Sequence, residues 1–337
     1  MALLLSFGLC STLLAETAKG IPNLSTRLNG ENTTIDCFAT LLVWNAREIG
    51  ADCWAEVITP VAAPTSNSLA QLNFDWNPGF RVGLGYGMEY DQWDTQLFFT
   101  WFHTKGVDHI SSVPGAIHST FIGNFYIDNA TGAGISGPTY REASIDWTIR
   151  FNMFDGELGR NYWVSHALSL RPFVGIKGGW IHQKIDTKWE FATTPIGFSA
   201  YNLGKENLKN NFWGIGPSAG VNMRWDLLQR PSDTLHLFGD FSGALMWGHW
   251  TFGDLFQNDL GQTVTVNVPN VNSGATMMRT FMGFGWNTNI GQTVLTTRLG
   301  YESQFWLDQL QFYSFVGGTL NTALTLQGGS LELSYDF

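Results

Sequence analysis

Ser330-Leu331-Glu332-Leu333-Ser334-Tyr335-Asp336-Phe337 ends the chain. In an extended strand, side chains alternate between two faces. Leu331, Leu333, Tyr335 and Phe337 therefore share one face, and Ser330, Glu332, Ser334 and Asp336 share the other. A half-apolar strand that stops on an aromatic residue is how bacterial outer-membrane β-barrels usually end, which makes Phe337 the candidate insertion signal. The segment predicts a sheet closed on itself within a membrane.

Composition agrees. Only 14% of the 337 residues are charged, against roughly 25% in soluble domains. Aromatics reach 15%, with 15 Trp, alongside 38 Gly. Mean hydropathy is -0.04. After the N-terminus no apolar run approaches the ~18 residues that a transmembrane helix needs. Strands with one lipid face and one polar face give this combination. The net charge of -10 argues against nucleic acid as a partner.

Residues 1–15 read as an export signal, with a short apolar core of Leu3, Leu4, Leu5, Phe7, Leu9, Leu13 and Leu14 and a cut after Ala15. A periplasmic segment, 16–33, follows, and the barrel is expected over 34–337. Cleavage leaves Cys37 and Cys53, whose pairing the spacing does not fix.

A period of two recurs along the chain. In 80–90, Phe80, Val82, Leu84, Tyr86, Met88 and Tyr90 alternate with small or charged residues. Over 143–153 the apolar set is Ala143, Ile145, Trp147, Ile149, Phe151 and Met153, and over 213–225 it runs from Trp213 to Trp225. Similar runs cover 34–46, 92–104, 167–181, 233–249, 276–288, 293–306 and 324–337, with a phase slip at Gly328-Gly329 that predicts a bulge. The fold class is all-β: a single transmembrane antiparallel barrel of about ten strands, within a range of about 8–14. Short periplasmic turns are expected near Asp91, Gly156–Tyr162, Gln229–Asp233 and Asn289–Gln292. Long extracellular loops are expected over 47–76, 105–141, 182–210, 251–274 and 307–323. Trp93, Trp101, Trp147, Trp213, Trp225, Trp286 and Tyr335 fall near strand ends and form the expected aromatic girdles.

If every apolar face meets lipid, the other faces line a lumen. They carry the basic residues Arg81, Arg150, Arg171, Lys177, Arg224, Arg279 and Arg298 and the acids Glu89, Asp146, Asp240 and Glu302. Asp94, Asp226 and Glu332 share that side. Charges of both signs around a constriction orient solutes and set ion preference. The competing reading is a barrel filled by paired charges, since about eight strands already pack shut. Inward Gly83, Gly85, Gly87, Gly214, Gly216 and Gly220 favour free volume. No metal-ligand or nucleophile pattern stands out among the seven histidines. No enzyme activity and no cofactor are expected.

Several blocks resemble the Legionella-type major outer membrane protein family, also found in chlamydia-related bacteria. They are Ala39–Gly50 (ATLLVWNAREIG), Pro78–Tyr86 (PGFRVGLGY), Trp93-Asp94, Trp101–Thr104, Leu170–Phe173, Gly178–Ile181, Trp213–Pro217, Leu324–Gly328 and Tyr335–Phe337. The resemblance implies an abundant surface protein that forms pores, and it leaves homo-oligomerisation open. It brings no catalytic residues. The expectation is an outer-membrane porin passing ions and small polar solutes through a narrow charged lumen. The alternative is a structural or adhesive barrel with a closed lumen, acting through its extracellular loops. Expected partners are outer-membrane lipid, periplasmic chaperones and the barrel-insertion machinery.

Overall fold

Alternating residues and β-branched or aromatic side chains favour extended backbone, and ten long strands form. They are β1 Thr34–Ile49, β2 Asn77–Gly87, β3 Trp93–Ser111, β4 Glu142–Arg160, β5 Leu168–Glu190, β6 Leu203–Gln229, β7 Asp233–Asn258, β8 Thr263–Ile290, β9 Thr293–Ser314 and β10 Gly318–Asp336. The computed structural model describes residues 34–59, 66–88, 91–112, 116–120, 125–127, 134–136, 138–193, 200–290, 293–314 and 318–336. The expected export signal, the segment 16–33, Glu89 and Phe337 lie outside the described residues.

Each strand pairs antiparallel with its sequence neighbours, and β10 returns to β1 from Asp36↔Asp336 to Ile49↔Ala323. The ring is closed at membrane level, so no sheet edge faces lipid there, while β1 beyond Trp44 and β3 beyond Phe102 run past the end of β2.

The strands are longer than a membrane needs. β6, β7 and β8 have 27, 26 and 28 residues. At ~3.3 Å per residue and ~40° tilt, β8 rises about 70 Å, against an apolar band of about 25 Å. Three of the five expected long loops are therefore mostly strand. β7 and β8 meet through 259–262, β9 and β10 are separated only by 315–317, and β5 and β6 extend into 182–210. The remaining two long connectors fold partly onto the outer end. Cys53–Thr59 pairs with Ser66–Gln71 and Ala116–Ser119 in a small three-stranded sheet.

A change of face runs along the strands. On β6, Trp213, Ile215, Ala219 and Trp225 point outward and are exposed or partly so, while Lys205, Asn207, Lys209 and Asn211 take the same outward side further up. Inside, the order reverses. Arg224, Asn222 and Ser218 lie low, and Phe212, Leu208 and Gly204 lie high. The lower part has polar groups in and apolar groups out, as lipid demands. The upper part has apolar groups in and polar groups out, as water demands.

This reversal corrects the reading of 143–153. Ala143, Ile145, Trp147, Ile149, Phe151 and Met153 face the interior and are at most 2% exposed. Trp147 belongs to that core rather than to a girdle, and its indole N–H donates to Gln183 Oε1 at 2.9 Å. The same reversal explains Gly328-Gly329. The ladders run through both residues without a shift, whereas the β9–β10 register shifts between Trp306 and Leu310. Leu324 and Leu326 lie inside the upper core, and Leu331 and Leu333 lie outside at membrane level.

The outer girdle contains Trp101, Trp180, Trp213 and Trp247, all exposed. Trp213 and Trp247 meet edge-on, with centroids 5.4 Å apart. Trp225, Trp286 and Tyr335 are exposed at the other end, and Trp93 is half-buried there.

Candidate functional site

The interior at membrane level is a set of charged side chains that answer one another. Arg81 projects inward from β2 and is 2% exposed, while Glu302 projects from β9 and is fully buried. Arg81 grips Glu302 with two bonds, Nη2–Oε1 at 2.7 Å and Nη1–Oε2 at 3.1 Å. Arg279 adds Nε–Oε1 at 2.6 Å from β8. One carboxylate thus accepts from two guanidinium groups and links β2, β8 and β9 across the lumen.

Arg171 makes a second node. Its Nη2 lies 2.6 Å from Asp94 Oδ1, and its Nη1 lies 2.9 Å from Glu157 Oε2 and 2.7 Å from Asn222 Oδ1. Arg298 makes a third, bonding Asp240 at 2.5 Å and Glu332 at 3.1 Å, with its guanidinium 3.9 Å from the Phe238 ring centroid. Lys177 pairs with Asp155, and Arg224 pairs with Asp226 at 2.9 Å. Buried charges are tolerated only when paired and hydrogen-bonded in this way.

Inward glycines do not open the space. A Cβ on Gly85 would fall onto the Asp36 carboxylate, one on Gly83 onto Phe38, and one on Gly220 onto Phe173. These glycines are seats for larger neighbours. A cavity of about 220 Å³ lies in the lower interior, lined by Arg81, Arg171, Arg224, Arg279 and Arg298 together with Asp240 and Glu332. Above it Trp44, Phe102, Phe151 and Trp306 fill the barrel with no exposed surface. At the top Trp54 of the small sheet packs on Trp189, with centroids 5.8 Å apart.

Of the expected lumen residues, Arg81, Arg171, Lys177, Arg224, Arg279, Arg298, Asp240 and Glu302 face the interior. Arg150 and Asp146 do not. They point outward, because their strand segment stands above the outer girdle where the apolar face turns in. Asp146 is held by Lys105 at 2.6 Å. Asp155 and Glu157 also face the interior, beyond the alternating run 143–153 and at or within the expected turn Gly156–Tyr162. The alternation of Phe154 and Leu158 with Asp155, Glu157 and Gly159 is the signal that continues the strand. His109 is exposed above the girdle, and His249 points outward with its ring 5.7 Å from Trp213.

Three further acids are buried in the projecting half. Glu48 accepts from Gln183 at 2.5 Å and Thr322 at 3.1 Å, and burial pushes its carboxyl up to about 7. Glu206 and Asp254 sit against one another. Burial and the neighbouring acid raise Glu206 well above the carboxylate range, and burial raises Asp254 to about 7.

No curated protein sequence matches the chain. Among solved structures, the outer membrane protease OmpT from Escherichia coli aligns at 9% identity and a TM-score of 0.38, covering 90% of this chain and 96% of that one. A Pseudomonas aeruginosa FadL homologue aligns at 12% identity and 0.29, covering 91% and 90%. The Pseudomonas putida toluene transporter TodX aligns at 7% identity and 0.19, covering 91% and 89%. Likeness this slight does not bear on what the chain does. A sequence family does match, over residues 30–337, and its description is the Legionella pneumophila major outer membrane protein precursor. The chain therefore belongs to the Legionella major outer membrane protein family and is an outer-membrane β-barrel protein.

Proposed function

We propose that this protein is a closed, non-catalytic outer-membrane barrel that serves as a structural surface element through its projecting half. One observation carries the reading: the interior is occupied at successive levels. Paired charges centred on Glu302 bridge it at membrane level, and fully buried Trp44, Trp147 and Trp306 fill it above. A diffusion pore needs a continuous wet path, and these side chains stand where that path would run.

The porin remains the second reading. The cavity lined by five arginines has the charge expected of an ion vestibule, and conduction would require the aromatic core above it to part. Planar-bilayer recording on purified protein separates the two. The closed barrel gives no steady unitary conductance and no liposome swelling with small sugars. Steady steps whose ion preference shifts in Arg171→Glu or Arg224→Glu would replace it with the porin.

A further inference from the structure

The outer wall is not the same all the way round. Above the outer girdle, β3–β6 present Lys105, Arg150, Lys184, Lys188, Lys205 and Lys209 outward, six of the chain's 18 Lys and Arg. Residues 248–278, 303–314 and 318–327, on the far side at this level, contain none, and Arg47 on the adjoining β1 is tied to Asp52 at 2.9 Å.

The register arranges these cations in rows. Trp101, Asn152, Trp180 and Trp213 stand side by side at the girdle. The next outward row is His103, Arg150, His182 and Asn211, and the one above is Lys105, Thr148, Lys184 and Lys209. Asp146 and Asp186 follow, bound to Lys105 at 2.6 Å and Lys184 at 2.5 Å. Lys188 and Lys205 stand above them. Two lysine pairs, Lys184/Lys209 and Lys188/Lys205, are directly opposed across strands. Like charges in that position destabilise a sheet. Among the described residues Arg150, Lys188, Lys205 and Lys209 have no ion-pair partner.

Directly below the same strands the lipid-facing wall is dented. A depression of about 1040 Å³ lies between Leu97, Phe99, Phe154, Ile176 and Ile215, with Trp180 and Trp213 at its upper rim. Outward Gly156 and Gly178 form its floor, where other strands carry side chains.

We infer that this flank binds a phosphorylated, acylated glycolipid of the outer leaflet. An acyl chain fills the depression, and phosphates meet the lysine rows. Height separates this ligand from an ordinary phospholipid. The Lys188/Lys205 row is about 20 Å above the tryptophans along the barrel axis, whereas a phospholipid headgroup layer adds under about 8 Å. A sugar headgroup bearing phosphates spans that range. A second copy packed two-fold on this face would set lysine rows against each other.

The test uses folded barrel in detergent, freed of co-purified lipid, with native mass spectrometry reading the bound species. The probes are rough lipopolysaccharide carrying phosphorylated core sugars, the same molecule dephosphorylated, and phosphatidylglycerol. One phosphorylated molecule is retained per barrel, in preference to the other two. Retention falls about tenfold or more in Lys184→Glu/Lys209→Glu and also in Gly156→Phe, which fills the dent. Asn272→Glu on the far wall leaves it unchanged, and heat-modifiable gel mobility verifies folding of each variant. Equal retention of the dephosphorylated lipid or of phosphatidylglycerol, indifference to the flank variants, or a lipid-free dimer would each overturn the inference.

Discussion

Trp180 and Trp189 lie on one strand and face opposite sides of its wall: Trp180 is 38% exposed toward lipid, and Trp189 is fully buried inside the barrel. An odd spacing puts them on opposite faces. Between them the strand leaves the membrane, and the side on which an aromatic is stable changes. The same side chain is an interfacial anchor below and a core residue above.

Outward substitutions should therefore have depth-dependent costs. Leu299→Arg, at a site 61% exposed within the apolar band, is expected to cost about 2–4 kcal/mol. Val107→Arg, at an equally exposed site (64%) above the girdle, should stay within about 0.5 kcal/mol. Urea titration of the refolded barrel in vesicles measures both, and equal costs would contradict the two-zone wall.

Removing the centre of the charge network should be severe. Glu302→Gln leaves Arg81 and Arg279 facing each other in a buried site, and the expected loss is about 3–5 kcal/mol. Restoring the balance with Arg81→Met in the Glu302→Gln background should recover part of it. A double variant as unstable as the sum of the single changes would show that the pair is not coupled.

The projecting half should weaken as pH rises. Glu48 and Asp254 each have folded-state pKa values near 7, above the ordinary carboxylate values of about 4. The folded state then holds more protons than the unfolded one between those limits. Stability is full below about pH 4 and declines as pH climbs toward 7. Thermal unfolding should give a higher midpoint at pH 5 than at pH 8, and the difference should shrink in Glu48→Gln/Asp254→Asn. A midpoint rising from pH 5 to pH 8 would reverse the sign and sink the assignment.

Cys37 and Cys53 should never pair within one chain. β1 runs between them, from beside Tyr335 at the periplasmic end to the small sheet outside, a separation of about 40 Å. Disulfide geometry requires Cα atoms within about 7 Å. Impermeant maleimide on intact cells should label Cys53 and spare Cys37. A gel-mobility difference between oxidised and reduced monomer would contradict this placement.

Strand number and direction were legible because period-two alternation survives wherever one face is wet and the other is not. The face was not legible from alternation alone. Ile145, Trp147 and Ile149 alternate as cleanly as Val82, Leu84 and Tyr86, yet point the other way, since a pattern shows that two environments exist without saying which is inside. Below the girdle lipid outside forces the arginines inward, and above it water outside lets Arg150 and Asp146 face out. The seating of Asp36 over Gly85 and of Phe38 over Gly83 depends on cross-strand register, which no single strand encodes.

The seam between β1 and β10 joins Asp36 to Asp336, so nearly the whole chain must exist before the ring can shut. Contacts this distant in sequence carry a high closure entropy and form late. Until then both stripes of every strand, the one destined for lipid and the one destined for the upper core, are open to water together. The projecting half adds a second hydrophobic load to the first. The chain in transit is therefore stickier than a barrel cut to membrane height, and its journey ends when its first strand meets its last.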